Sequence, residues 1–443
     1  MTKETTRNWI KFLPFRDVVL WDVKRYASER IKSDYPIVKL GLHIQEESHK
    51  VKLFDYPEEE FGILGVNNKI GIFDAYKEKG ANINQAYKKM GIGWLAYNPY
   101  RVNVGSIGMR TEEHQHEYIS PAYVVFSCKE TLLPDFLYKL FKTERFNKII
   151  NESTTGSVRQ NLTIEILKTL DVALPPIQIQ SEILKPYYFK IKKAESVFLE
   201  IQNKEEEIEN NIKELLEIEF PVIEKKRKGI YFSKYSKINR WDIWVNETIG
   251  ISKKYRNGFL QELIVGNPMY GANVRSIDAE SDVRYIRITD INEDGTLNED
   301  FVSAEKVEEK YLLKQNDFLI ARSGNTVGKT FLYNEDDGKA IFAGYLVKYE
   351  LNNEKINPEY LLYFTKSRLY KNWIKSNQRI SGQPNINGQE YLLSPIVIPP
   401  LDIQEKIVKQ IKVIKNEIQV LKSKVELNLK EAIKEFEQAI FKN

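Results

Sequence analysis

The sequence runs to 443 residues, carries 66 basic and 62 acidic side chains for a formal charge of +4, and is 42% apolar. That length suits two or three domains, and the near-neutral balance is not the footprint of a strongly basic nucleic-acid binder, so any DNA contact must rest on locally focused basic residues or on partners. A single cysteine excludes an internal disulfide framework, no apolar run approaches the roughly 20 residues of a membrane helix, and Met1–Trp9 lacks the apolar core of a signal peptide. The expected setting is therefore soluble, reducing and cytoplasmic, with no membrane contact.

In chain order, the apolar run Tyr123–Cys128 comes first, and Cys128 within it reads as a small buried residue rather than a nucleophile. After Leu174-Pro175-Pro176 an apolar seam runs Leu184, Tyr187, Ile191, Ala194, Phe198, Ile201, Ile208, Ile212, Leu215 in alternating steps of three and four, broken only at Glu205. The basic cluster Lys225–Lys228 follows and reads as a solvated linker. Val283–Ile288 alternates polar and apolar side chains like a half-buried strand, Glu293-Asp294-Gly295 is a turn, and Asp317–Ile320 and Thr330–Tyr333 are short strands. Pro358–Ser376 has helical spacing. After Ile398-Pro399-Pro400 a second seam runs Ile407, Ile411, Ile414, Ile418, Leu421, Val425, Leu429, Ala432, Phe436. Both seams carry the heptad signature of a coiled coil, with Glu and Lys on the flanks. Each helix should reach roughly 50–60 Å at 1.5 Å per residue, and two such helices in one chain most simply bury their seams against each other.

The two halves echo one another. Leu174-Pro175-Pro176-Ile177-Gln178-Ile179-Gln180 answers Ile398-Pro399-Pro400-Leu401-Asp402-Ile403-Gln404, and Pro134–Tyr138 answers Pro358–Leu362, both 224 residues on. Trp21-Asp22 answers Trp241-Asp242, and Thr155-Gly156-Ser157 answers Ser381-Gly382-Gln383. So long a period means two copies of a whole domain, each followed by a long helix, rather than a solenoid. The fold class is α+β.

Several motifs resemble catalytic ones without completing them. Ser323–Thr330 has the Gly-Lys-Thr ending of a phosphate loop, but Ser323 stands where glycine is required and a strand rather than a helix follows. Asn98-Pro99-Tyr100 lacks one proline of an amino-methyltransferase signature, and no glycine-rich cofactor loop precedes it. His114 and His116 have no further metal-ligand set nearby. The polar clusters that remain are of the kind that reads DNA: Arg offers paired donors to guanine, and Asn or Gln pairs with adenine, in the major groove. Arg159, Gln160 and Asn161 follow Gly156 in the first half; Arg379, Gln383, Asn385 and Asn387 surround Gly382 in the second. A glycine-rich turn adds Arg322, Ser323, Asn325 and Lys329, and Arg101 and Arg110 are further candidates in the first half. Gly156 and Gly382 are assigned a conformational role, and the alternative for all these loops is a plain surface turn.

The paired Pro-Pro-x-x-x-Gln segments, Tyr285–Ile291, Ala321-Arg322-Ser323-Gly324 and Ser381–Ile386 together resemble the specificity subunit of Type I restriction–modification systems, over nearly the whole chain. The resemblance implies target recognition domains at 1–174 and 241–398, long helices at 175–220 and 399–443, and a linker at 221–240. It implies that each domain reads one half of a bipartite target in double-stranded DNA, and that the antiparallel helices set the spacing. The chain would dock two methyltransferase subunits and a restriction motor-nuclease subunit. It would bind no cofactor itself: S-adenosylmethionine, ATP and Mg would sit on the partners. The rival readings are a fused nuclease or methyltransferase, a coiled-coil adaptor that binds only protein, and a detachable specificity subunit of a single-chain enzyme.

Overall fold

Phe318-Leu319-Ile320-Ala321 is continuously apolar because it forms an inner strand of a four-stranded antiparallel sheet and is buried on both faces. Leu346–Leu351 lies on one side of it, Thr330–Leu332 on the other, and Ile264–Tyr270 completes the order beyond Leu346–Leu351. Phe318 and Ile320 join a core with Tyr349, Tyr360, Trp373 and Tyr391. Leu319 and Ala321, on the opposite face, join another with Phe331 and Phe342.

Earlier in the chain the same sheet is built once before. Ile44–Glu46, Val124–Cys128, Leu95–Tyr97 and Ile107–Met109 stand in the same spatial order, again all antiparallel. Leu95 and Tyr97 enter the core of Phe126, Phe136 and Phe146, while Ala96 and Val125 face Leu64, Ile72 and Ile119. The inserts between the shared strands differ. The first copy has a five-stranded sheet with the Glu60–Asn67 and Gly71–Lys79 hairpin; the second has two small two-stranded sheets, one of them parallel.

The computed structural model describes residues 31–100, 106–153, 161–221, 249–278, 281–378 and 383–442. The Trp-Asp echoes, Thr155–Ser157, Ser381, Gly382 and Lys225–Lys228 lie outside them. The chain divides into two units: unit 1 takes the described residues up to Val197 together with those from Ser423, and unit 2 takes Phe198–Lys422. The long helices span Ile177–Leu215 and Leu401–Ile440, so the unit boundary cuts through both. Each unit takes a segment of each helix.

Within each unit the two segments pair. In unit 1 the Tyr187 ring meets the edge of Phe436 at 6.0 Å, and Lys190 pairs with Glu431 and Glu435 at 2.9 and 2.8 Å. In unit 2 Lys204 pairs with Glu417 at 2.8 Å, and Ile212 shares a core with Ile407 and Ile411. Rising numbers on one helix meet falling numbers on the other within each unit, so the seams pair as their spacing predicts, in the antiparallel sense that the resemblance implies. Two seam assignments are corrected. Phe198 is 54% exposed and Val197 is buried in its place; Leu429 is also exposed. Ala194, Val197 and Ile201 keep the three-four spacing, which turns Phe198 off the seam. The first helix ends at Leu215 rather than 220, where Glu217 turns to a positive φ of 47° before the short strand Ile218–Glu219. Pro186 lies inside that helix, where it supplies no backbone donor to the preceding turn.

The repeated Pro-Pro-x-x-x-Gln segments gain a physical meaning. Gln180 is fully buried; its Oε1 accepts the Leu133 N–H at 2.9 Å, and its Nε2 donates to the carbonyls of Thr131 and Pro175 at 3.0 and 2.8 Å. Gln404 repeats each bond 224 residues on, with Asn357 N–H at 2.7 Å and the carbonyls of Lys355 and Pro399 at 3.3 and 2.8 Å. Each glutamine fastens the start of a long helix to the loop before Pro134 or Pro358. A second duplicated device joins the units' helices to the partner half of the sequence. The N–H of Glu144 is received by Glu437, and the N–H of Arg368 by Glu209. Carboxylates at helix N-termini satisfy backbone donors and the positive end of the dipole.

Candidate nucleic-acid interface

In unit 2 the turn after Phe318–Ala321 is held open by glycine. Gly324 and Gly328 have φ of 69° and 87°, and a side chain at Gly328 would strike Ile374. The turn is tied to the segment before the last short helix: Ile386 N–H donates to Arg322 O, Gly324 N–H donates to Pro384 O, and Ser323 bridges Asn385. Gln383 Nε2 lies 3.1 Å from the place a Gly324 side chain would take. Arg322, Ser323, Asn325, Gln383 and Asn385 are thereby brought to one place.

Arg322 is the most organised of these side chains. Its backbone N–H donates to Tyr345 O, and its guanidinium lies over the ring of Tyr270 at 5.0 Å and near that of Tyr345 at 5.9 Å. Its Nε is buried without a hydrogen-bond partner, and no carboxylate among the described residues pairs with it. Tyr345, 56% exposed, and Tyr270 carried no signal that the motif reading used. Their only sequence cue is register: both flank the strand that pairs with the Arg322 strand.

Other expected contacts are occupied internally. Lys329 donates to Glu293 at 2.9 Å and to Ile291 O at 3.3 Å. Ser323 is buried. Asn387 caps the Gly388–Tyr391 helix, accepting the N–H groups of Gln389 and Glu390 while Glu390 returns to the Asn387 N–H. Arg110 is 8% exposed, with Nη1 donating to Met90 O at 2.6 Å. Lys329, Asn387 and Arg110 thus have local partners and Ser323 is buried, whereas the Arg322 guanidinium has no hydrogen-bonded partner among the described residues. Asn325 and Gln383 are exposed and Asn385 and Asn161 half-buried, the last with an Oδ1 that has no partner. Arg101, Arg159, Gln160, Arg379, Gly156 and Gly382 lie outside the described residues.

The tempting motifs resolve in the same way. The Ser323–Thr330 turn leads into the Thr330–Leu332 strand, so no helix N-terminus faces it. His114 donates from Nε2 to Ile72 O at 2.9 Å and His116 from Nδ1 to Ile63 O at 3.0 Å, pinning the hairpin of unit 1. No described group of three or more His, Cys, Asp or Glu is arranged to hold a metal ion. Burial pushes the Cys128 thiol up to about 12, which suppresses its thiolate. No helix among the described residues is long and apolar enough to cross a membrane.

Each unit thus carries a four-stranded sheet of the same strand order and a segment of each long helix. Residues 261–430 match the family described as the Type I restriction modification DNA specificity domain. The fold agrees with a solved structure described as the structural basis of complex assembly and conformational transition of the type I R-M system, with 14% identity, TM-score 0.52, and coverage of 93% of this chain and 99% of that one. Looser matches are the HsdS subunit from Thermoanaerobacter tengcongensis (14% identity, TM-score 0.37, 93% and 98% covered) and the Type-I restriction-modification system S subunit from M. genitalium (12%, 0.41, 94% and 98%). No curated protein sequence matches the chain.

Proposed function

We propose that the chain reads a bipartite DNA target, one half with each unit, and scaffolds two methyltransferase subunits and a restriction motor-nuclease subunit without contributing a catalytic group. The observation that carries this reading is duplication with divergence. The same backbone bond, Leu162 N–H to Pro99 O in unit 1 and Ile386 N–H to Arg322 O in unit 2, is made at the end of the matching strand, yet the residue there is proline in one unit and arginine in the other. A shared scaffold with unlike tips is what two readers of unlike half-sites require. In this reading S-adenosylmethionine belongs to the methyltransferase subunits, and ATP and Mg to the restriction subunit. The helices of 39 and 40 residues, about 60 Å each, are long enough to span more than one DNA turn of roughly 34–36 Å, which suits a fixed spacer.

The test is co-expression with the methyltransferase subunit of the same locus and mapping of modified adenines across the host DNA. A single split motif with a fixed spacer is the expected result, and replacing one unit's sheet and rim should change one half only. A stable complex with no modification would favour a protein-only adaptor, and an uninterrupted short motif would remove the two-reader reading.

A further inference from the structure

We infer that Arg322 takes the O6/N7 edge of a guanine in the half-site served by unit 2, with Tyr270 and Tyr345 holding its guanidinium in the reading pose. The inference rests on the DNA-reading function proposed above and assigns it a residue and a base. Three features fit this role: the first favours a base edge over a phosphate, and the other two leave the guanidinium available to an outside acceptor. It is held over one ring and beside a second, so it gives up little side-chain freedom on binding, whereas a phosphate contact needs only charge within reach. Its Nε is sealed without a partner, which leaves the two terminal nitrogens for an outside acceptor. No described carboxylate neutralises it, while the lysine of the same turn, Lys329, is already held by Glu293.

Two adjacent planar donors match two adjacent acceptors. In the major groove only guanine offers that pair, O6 beside N7; adenine places a donor next to N7. Unit 1 supplies an internal contrast. The backbone bond from the segment before the last strand falls on Pro99 there, and the turn bond Tyr123 N–H to Ser120 O matches Leu346 N–H to Ala343 O. These bonds set Pro99 at the place of Arg322 and Ala122 at the place of Tyr345. The arginine and its exposed ring are absent together, so they act as one reading device, and the half-site of unit 1 must be read by other groups.

The experiment uses the full chain in its co-expressed methyltransferase complex, selecting bound molecules from duplexes with a randomised target region. The wild-type complex should select a guanine at a fixed place in the unit 2 half. Arg322→Ala should keep the unit 1 half and the spacer and lose preference at that position alone, by roughly 10-fold or more. Replacing that base with 7-deazaguanine, which lacks the N7 acceptor, should weaken the unaltered complex at the same position and needs no folded variant. Tyr345 is a positioning residue: Tyr345→Ala should lower the same preference in part, by roughly 2- to 5-fold, while Tyr345→Phe keeps it. Uniform weakening across all sequences in Arg322→Ala would make it a phosphate contact and overturn the inference, as would an unchanged motif or indifference to 7-deazaguanine. If the wild-type complex selects no motif, the DNA-reading function itself fails, a result distinct from these.

Discussion

Unit 1 and unit 2 share their sheets, their buried glutamines and their carboxylate caps, and differ in what stands on the rim and between the strands. The conserved devices are those whose partners are backbone: Gln180 and Gln404 bond amides and carbonyls, and Glu437 and Glu209 receive helix N–H groups. A device that holds backbone survives replacement of the side chains around it. The rim differs in its side chains: Arg322 lies against the rings of Tyr270 and Tyr345, and of the three only the Tyr270 hydroxyl also holds backbone, accepting the Gly388 N–H. A scaffold fixed through its main chain leaves its tips free to differ.

The equivalence of the units breaks first, if it breaks, at the glutamines. Gln180→Leu or Gln404→Leu leaves a buried N–H and two carbonyls without their side-chain partner, and each should cost about 2–4 kcal/mol. Urea unfolding read by unit-resolved hydrogen exchange should show the loss in the unit that carries the change, with similar size in both. A large effect in one unit and none in the other would mean that the two glutamines are not the same device.

The rim should behave in the opposite way, with effects that do not transfer between units. Giving unit 1 the missing pair, Pro99→Arg with Ala122→Tyr, should create a new preference at one position of its half-site, by roughly 10-fold if a guanine edge is in reach. The unit 2 half should stay unchanged in the same adenine map. A change in both halves would mean that the rims are coupled.

Smaller still are the carboxylate caps. Glu209→Ala should cost about 0.5–1 kcal/mol by exposing the N-terminus of the Arg368–Asn377 helix. Glu437→Ala should cost slightly more, because Glu437 also holds the Arg145 guanidinium at 3.2 Å. Thermal unfolding of the two variants side by side checks the order, and salt should narrow the gap between them.

The duplication, the long helices and the rim turns were legible because they rest on spacing and on turn-forming residues such as Pro175, Pro399 and Gly324. What was not legible depended on partners far along the chain. Arg110, Lys329 and Asn387 have the chemistry of DNA contacts but spend it on Met90, Glu293 and the Gly388–Tyr391 helix. Tyr345 has no motif, and only its strand register brings it to Arg322. The exchange of helix segments between units was also hidden: a heptad seam states that a helix is paired, not which half of it each domain keeps.

The finest comparison is a pair of lysines 224 residues apart, Lys142 and Lys366. Lys366 donates to Thr330 O and Oγ1 at 3.0 and 2.9 Å, and burial pushes its ammonium down to about 7. Lys142 moves in the same direction, through burial and then the charge of Lys139. A folded-state value below the ordinary 10.5 means that between pH 7 and that value the unfolded chain binds a proton the folded chain does not. Stability must therefore rise with pH across this window, and the penalty is present in full below pH 7. Lys366→Met should flatten that rise for unit 2, measured as the unfolding midpoint at pH 7 and pH 9. The upper limit matters, because burial raises the phenols of Tyr349, Tyr360 and Tyr391, and their ionisation in the unfolded chain lowers stability at higher pH. Lys142→Met should leave the unit 2 slope untouched. If it instead removes the slope there, the two units do not unfold independently, and every assignment of an effect to one of them has to be remade on the whole chain.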